Sequence, residues 1–240
     1  MLDALLFLVL AGPTPSNDLS VLTERDASKD SVAFSTRLEP HFTPNEGQWP
    51  AAVLYRTRLD SAAIWVTRDG FASEVRSPNA RLGLVTTFEG ANPSAHAEGE
   101  APLVGRESYF LGADSGAWAT GLATFGRVRL RSLYEGIDLL LRTEERRLEY
   151  DLHLQPGADL EQVVVRVDGA KHLHVDEAGA LCMETDLGCV RQTPPRTWVV
   201  VDGAPVAIES GFRVLDESRY TFWVEPHDDQ LALSIDPGLE

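Results

Sequence analysis

From residue 40 onward the chain is a succession of short runs in which hydrophobic and polar positions alternate, and the stretch 133–159 shows the pattern most clearly. Between residues 147 and 154, Leu148, Tyr150, Leu152 and Leu154 fall on one side, and Glu149, Asp151 and His153 on the other. A period of two is what a strand with one buried face requires. An apolar run at 137–142 precedes it, and the charged stretch 143–146 between the two reads as an exposed hairpin loop. Pro156-Gly157 ends the second strand, because proline has no N–H for the ladder. A lone pair of strands is marginal in water, so this hairpin must pack on a larger sheet.

The remaining runs supply that sheet. Strand-like segments fall at 53–57, 63–68, 71–76, 82–88, 107–111 and 127–130 in the first half, with Asp69-Gly70 as a two-residue type I′ loop. Residues 91–102, rich in Pro, Ala and Gly, read as a loop. Val128 and Leu130 alternate with Arg127, Arg129 and Arg131, so that strand has one wet face. In the second half the runs are 163–167, 172–176, 180–185, 189–193, 197–201, 204–209, 211–215, 219–224 and 231–235, with Asp168-Gly169 and Asp202-Gly203 as turns. Strands spaced by about ten residues with turn chemistry between them predict an all-β fold with antiparallel β-sandwich architecture. No amphipathic helix of three turns and no propeller or solenoid period is present. A break near 156–160 is where two sandwich-like halves would divide.

The beginning of the chain differs. Residues 2–11, LDALLFLVLA, are apolar but shorter than the roughly 20 residues a bilayer span takes. They read as the apolar region of a signal peptide, with Val9 and Ala11 as small residues before a cut, although Asp3 stands where a basic residue is usual. The alternative is a buried N-terminal strand or helix turn. Residues 12–39, with Pro13, Pro15 and mixed charges, read as a disordered, mobile linker. The division is therefore 1–39 and an all-β domain at 40–240.

Charge narrows the function classes. The net charge of −16 is the wrong sign for binding a phosphate backbone or an anionic lipid surface. Cys182 and Cys189 are the only cysteines. They flank a hairpin turn in the sequence reading; with a loop at Thr185-Asp186 they would lie opposite each other, and a cross-strand disulfide is feasible within ~7 Å between Cα atoms. Export would favour the disulfide, and two free thiols are the alternative.

Several stretches in order resemble one family. They are Phe42-Thr43-Pro44-Asn45-Glu46-Gly47-Gln48, Pro102-Leu103-Val104-Gly105, Tyr109-Phe110-Leu111-Gly112, Trp118 with its neighbours, Tyr134-Glu135-Gly136-Ile137-Asp138 and Leu148-Glu149-Tyr150-Asp151. Pro156-Gly157-Ala158-Asp159, Asp168-Gly169-Ala170, Gly179-Ala180-Leu181, Gln192-Thr193-Pro194 and Ile235-Asp236-Pro237 complete the set. The order is similar to that of the uncharacterised N-terminal β domain that precedes SBBP-type β-propeller repeats in large bacterial secreted or surface proteins. The resemblance implies an extracytoplasmic, mostly β domain with no catalytic residues to carry over. It also implies propeller repeats after Ile235-Asp236-Pro237; the sequence ends at Glu240, as a stand-alone copy or with its continuation beyond.

Individual residues give weaker signals. Glu149, Asp151 and His153 share a strand face and could ligate a metal. A single strand rarely supplies a full shell, so a solvated face balanced by Arg146 and Arg147 is preferred. His172 and His174 with Asp176 form a second such row, with the same preference. The tryptophans Trp49, Trp65, Trp118, Trp198 and Trp223 could stack sugars, but their area favours core packing. Paired carboxylates of a glycosidase cannot be singled out among 37 acidic residues. No nucleophile elbow, P-loop or dinucleotide fingerprint appears. The expectation is a non-catalytic structural or adhesive module, secreted or at the cell surface, that caps or presents a neighbouring β-propeller or partner protein. The alternatives are a carbohydrate-binding or carbohydrate-active domain and a calcium-stabilised adhesion module. No cofactor, nucleic-acid partner or stable membrane span is expected.

Overall fold

Antiparallel hairpins carry the chain through the fold. The structure, a computed structural model, describes residues 39–60, 62–77, 80–111 and 118–238. The signal-like segment and the linker up to residue 38 lie outside the described residues. A first meander runs through β1 (Thr43–Pro44), β2 (Tyr55–Arg58), β3 (Ala62–Val66), β4 (Gly70–Ser77) and β5 (Ala80–Glu89). A second, of longer strands, comprises β6 (His96–Tyr109), β7 (Ala119–Tyr134), β8 (Ile137–Glu144) and β9 (Arg147–Leu154). A 3-10 turn at Leu160–Gln162 leads into β10 (Val164–Asp168). A small meander follows, β11 (His172–Val175), β12 (Leu181–Thr185) and β13 (Gly188–Gln192). The hairpins β14 (Arg196–Val201) with β15 (Ala204–Ile208), and β16 (Ser210–Val214) with β17 (Arg219–Val224), precede β18 (Leu233–Asp236).

These strands form an eight-stranded sheet, β1-β2-β3-β4-β5-β10-β17-β16, a seven-stranded sheet, β15-β14-β18-β9-β8-β7-β6, and a separate three-stranded sheet, β11-β12-β13. The two large sheets are the halves of the sandwich. Each draws on both parts of the chain: β10 enters between β5 and β17, and β18 between β9 and β14. One continuous core joins them. Ile64, Val66, Phe71, Leu84 and Phe88 from the first sheet meet Leu130, Leu139, Leu141 and Leu152 from the second. The alternation of β9 is realised, with Leu148, Tyr150, Leu152 and Leu154 all buried. Each fully buried aliphatic side chain contributes about 1.5–3 kcal/mol relative to exposure.

One polar point interrupts this core. The Tyr150 hydroxyl lies 2.9 Å from that of Tyr220 and donates to Gln192 Oε1 at 3.1 Å, and the Gln192 amide donates back to Tyr220 at 3.4 Å. Tyr150 is on β9, Tyr220 on β17 and Gln192 on β13, so all three sheets meet there. Burial keeps both hydroxyls neutral, with the pKa of Tyr220 pushed up to about 12.

Turn chemistry explains most of the hairpins and corrects some boundaries. Glu145 and Arg146, with φ of +47° and +66°, form a two-residue type I′ turn between β8 and β9. Asp202-Gly203 does the same between β14 and β15. Asp69-Gly70 does not: Val66 pairs with Phe71, so the loop has four residues, and the Thr67 N–H is bonded to the Gly70 carbonyl. Residues 91–102 are not a continuous loop, because β6 begins at His96. Its Pro and Gly are tolerated because β6 is an edge strand; Pro102 sits at a register shift beside Ala101, whose φ is +52°. Before Arg127, β7 has no β8 partner and runs with β6 as an arm, laced to the first sheet by reciprocal backbone bonds between Phe42 and Phe125.

Gly169 marks where β10 passes β5. Its φ is +97°, and a Cβ there would stand 2.2 Å from the Gly83 carbonyl oxygen. Gly169→Ala is expected to destabilise by about 2 kcal/mol or more. Gly203→Ala meets nothing within 4 Å, and is expected to cost only about 1 kcal/mol, the left-handed penalty alone. Urea midpoints of the two variants check the difference; equal losses would contradict the close approach.

Candidate functional site

The outer face of the seven-stranded sheet gathers a row of paired ionisable groups, because strand parity sends every second residue of β6, β7, β8, β9, β18 and β14 outward. Arg129 donates to Glu100 at 2.6 Å, and Arg131 bridges Glu98 and Asp138 at 3.0 Å each. Arg142 donates through Nε and Nη2 to Asp151 at 3.1 Å, and from Nη2 to Asp236 at 3.1 Å. Arg196 closes the row on the far side of Asp236. Asp151 and Asp236 are only 6% and 4% exposed, so this is not a solvated face. Arg142 and Arg196, rather than Arg146 and Arg147, balance it; Arg146 instead pairs with Asp60. Burial raises the pKa of Asp151, Arg142 opposes the shift, and the neighbouring Asp236 adds to it. A paired-carboxylate mechanism needs both groups open to substrate. Here they are covered by the guanidinium that binds them.

The third member of the predicted row, His153, belongs to another arrangement. It sits between Asp138 on β8 and Ser234 on β18, directly opposite each. His153 Nδ1 is 3.1 Å from Ser234 Oγ, while Nε2 is buried without a hydrogen-bond partner. The carboxylate of Asp138 is taken by Arg131 and by the Ser132 N–H at 2.8 Å. Burial lowers the His153 pKa, and the charge of Arg129 adds to that. The order Asp–His–Ser was not legible in the sequence, because it depends on three non-consecutive strands. It is not acyl-transfer machinery. The acid is engaged by Arg131 and Ser132 and does not orient the imidazole, as a triad requires.

Among the described residues no three or more of His, Cys, Asp and Glu converge as a metal-holding group. His172 and His174 stack side by side at 6.0 Å on β11, with His174 facing Glu184 at 3.6 Å. Asp176 leaves their row: it binds the Ala178 and Ala180 N–H groups and Arg191, shaping the turn before β12. The cysteine hairpin turns at Asp186-Leu187, one residue later than expected, because Thr185 Oγ1 bonds across the turn to Leu187 and Gly188. Cys182 therefore pairs with Arg191 and Cys189 with Glu184, so the cysteines are diagonal rather than opposite. Their Cα atoms are 5.7 Å apart, within the reach of a disulfide.

None of the five tryptophans is in the buried core, contrary to the area argument. Strand parity is the reason: Trp65 alternates with Ile64 and Val66, Trp198 with Thr197 and Val199, and Trp223 follows Phe222. Trp49 and Trp65 cross at 5.8 Å with the Arg56 guanidinium over both rings, and Trp49 also meets Tyr109 at 5.0 Å. Burial between the rings lowers the Arg56 pKa. Beside them Glu107, near the end of the β6 arm, accepts from His41 at 2.9 Å, Thr43 at 2.5 Å and Tyr109 at 2.6 Å. Asn45 holds the following loop, donating to the carbonyls of Trp49, Pro50 and Val53 and accepting from the Gly47 and Trp49 N–H groups.

The model of a family described as a domain of unknown function (DUF7948) matches residues 42–238. The chain belongs to the DUF7948 family. No curated protein and no solved structure matches it. The stretches that carry the family resemblance act here as joints: Asn45 closes a loop, Tyr150 and Gln192 meet in the core, and Asp151 and Asp236 share Arg142. Gly136 lies against Ala158, which seats one recurring turn on another. Among the described residues no helix is long and apolar enough to cross a membrane.

The Glu107 joint has a definite pH dependence. The His41 hydrogen bond is the main cause holding Glu107 down to a pKa of about 2 from 4.5; Thr43 and Tyr109 assist, and partial burial opposes. The same bond raises His41 above 6.5. Stability from the depressed acid is present above pH 4.5 and lost toward pH 2; stability from the raised base is present below pH 6.5 and lost as pH rises through the folded value. Comparing urea unfolding of the parent and Glu107→Gln across pH should give the widest gap between 4.5 and 6.5, narrowing on both sides. A gap independent of pH would contradict this pairing.

Proposed function

We propose that this DUF7948 domain is a non-catalytic, extracytoplasmic structural and adhesive module that caps or presents a neighbouring β-propeller or a partner protein. The observation that carries the reading is the β6–β7 arm. Five of the eleven exposed large hydrophobic residues among the described residues belong to it or its end: Leu103, Val104, Phe110, Leu111 and Trp118. Val104 is fully exposed, and Phe110 and Trp118 meet edge to face at 5.2 Å. Scattered exposed apolar residues are ordinary, but a concentration of them on one projecting element is characteristic of contact surfaces. The outer charged face, by contrast, is already neutralised by its own arginines.

The open edge at β15 supports side-chain contact over strand addition. Val201 and Ala204 close the turn, so the next pair, Val200 and Pro205, is the one whose N–H groups face away from each other. Pro205 has none to offer, which discourages pairing with another chain. An export route is supported by the family resemblance and by the diagonal Cys182–Cys189 geometry, which we take to be a disulfide. A second reading, carbohydrate binding, is favoured by the tryptophans that lie outside the core.

The test is capture by the tagged domain from the envelope and secreted fractions of its source cell. A partner protein is expected on the parent domain, and Val104→Asp with Phe110→Asp should lose it without lowering the melting temperature. Capture unaffected by the double substitution would contradict the arm's role. A hydrolytic activity lost on one carboxylate substitution would overturn the non-catalytic reading.

A further inference from the structure

Where β9 leaves its sheet, the loop at 155–161 meets the loop at 227–231, and they enclose a groove of about 370 Å³ against β16 and β17. Small-ligand sites begin at roughly this size. Its walls are held by backbone bonds. The Gly157 N–H reaches the Asp229 carbonyl at 2.7 Å, and the Gln155 N–H reaches that of Gly136 at 2.8 Å. The Asp159 carboxylate caps the Glu161 N–H at 2.9 Å. A groove fixed in this way loses little freedom when a ligand enters.

Trp223 forms one side. Its ring lies along the backbone of Gly211, its direct partner on β16, where a Cβ would stand only 2.6 Å from the indole nitrogen. Glycine there lets the half-buried indole settle against the strand. Trp223 has no ring partner among the described residues, unlike Trp49, Trp65 and Trp118. Arg213 shares the outer face with Gly211 and is exposed, with no ion pair among the described residues. The Glu161 carboxylate likewise has no partner there. His227 donates from Nδ1 to the Glu225 carbonyl at 3.0 Å.

A pyranose ring has an apolar C–H face and a rim of hydroxyls that both donate and accept. It matches a flat indole bordered by a guanidinium and a carboxylate. A purely apolar ligand would leave the charged rim desolvated. An anionic one would meet Asp159, Glu161 and Asp229 with Arg213 alone as a fixed counter-charge. We infer that this groove binds a neutral sugar, its ring stacked on Trp223 and its hydroxyls bridged by Arg213 and Glu161. The inference rests on the carbohydrate reading and uses a surface separate from the arm, so either can fail without the other.

Saturation-transfer NMR and tryptophan-fluorescence titration of the full chain with maltotriose, triacetylchitotriose and trigalacturonate test it. At least one neutral trisaccharide should bind at millimolar concentration, with trigalacturonate weaker. Trp223→Ala should weaken binding about tenfold, and Glu161→Gln about fivefold, while Trp118→Ala on the arm leaves it unchanged. Should Trp223→Ala fail to fold, Glu161→Gln in its exposed loop decides the outcome. No transfer from either neutral sugar, binding indifferent to Glu161→Gln, or a preference for trigalacturonate would each overturn the inference. Arm-dependent protein capture measured on the same variants separates this result from the partner reading.

Discussion

Three sheets meet at the buried hydroxyls of Tyr150 and Tyr220 and the amide of Gln192. The two large sheets have an ample apolar interface, and hydrophobic burial alone would hold them face to face. Apolar contact is non-directional, however, and would tolerate neighbouring registers. A buried polar triad does not, because a displaced register leaves a hydroxyl or an amide without a partner at a cost of about 1–3 kcal/mol. The triad also gives the small β11-β12-β13 sheet a specific seat, since Gln192 at the end of β13 is its contribution. Placement of β13 then carries Thr193 to the Gly238 carbonyl at 2.8 Å, which fixes the chain after β18.

The charged outer face follows from that placement. With β18 held between β9 and β14, Asp236 comes beside Asp151, and the two carboxylates are stable only because Arg142 and Arg196 cross the strands to reach them. The face is therefore a rigid, self-neutralised plate. The surfaces left for recognition are the arm with its uncovered apolar side chains and the groove beside Trp223. Both stand on strands or on loops pinned to them, the arrangement in which a scaffold presents contacts without paying much conformational entropy.

Period-two alternation made β9 legible and an apolar run made β8 so; Asp202-Gly203 was legible as a turn, whereas the charged stretch 143–146 read as a loop and only its centre, Glu145-Arg146, forms the turn. Parity also placed Asp151 correctly outward; what it could not show was burial, because Arg142, Arg196 and Asp236 come from strands adjacent only in the folded sheet. The tryptophans were misjudged by ring size, although the apolar neighbours of Trp65, Trp198 and Trp223 already marked the other side as the inner one. Composition misled at 91–102, where an edge strand accommodates Pro and Gly. The cysteine register turned on one hydroxyl, that of Thr185. The Asp138–His153–Ser234 row and the pairing of Gly211 with Trp223 depend on sheet order and register, which no local pattern encodes.

The most direct test of the central joint is a double-mutant cycle on Tyr150→Phe and Tyr220→Phe by urea unfolding. Each single substitution is expected to cost about 1–3 kcal/mol. The double variant should lose clearly less than the sum, with a coupling of about 1 kcal/mol or more. Losses that add to within about 0.5 kcal/mol would show that the two hydroxyls act independently, and that apolar packing alone sets how the sheets meet.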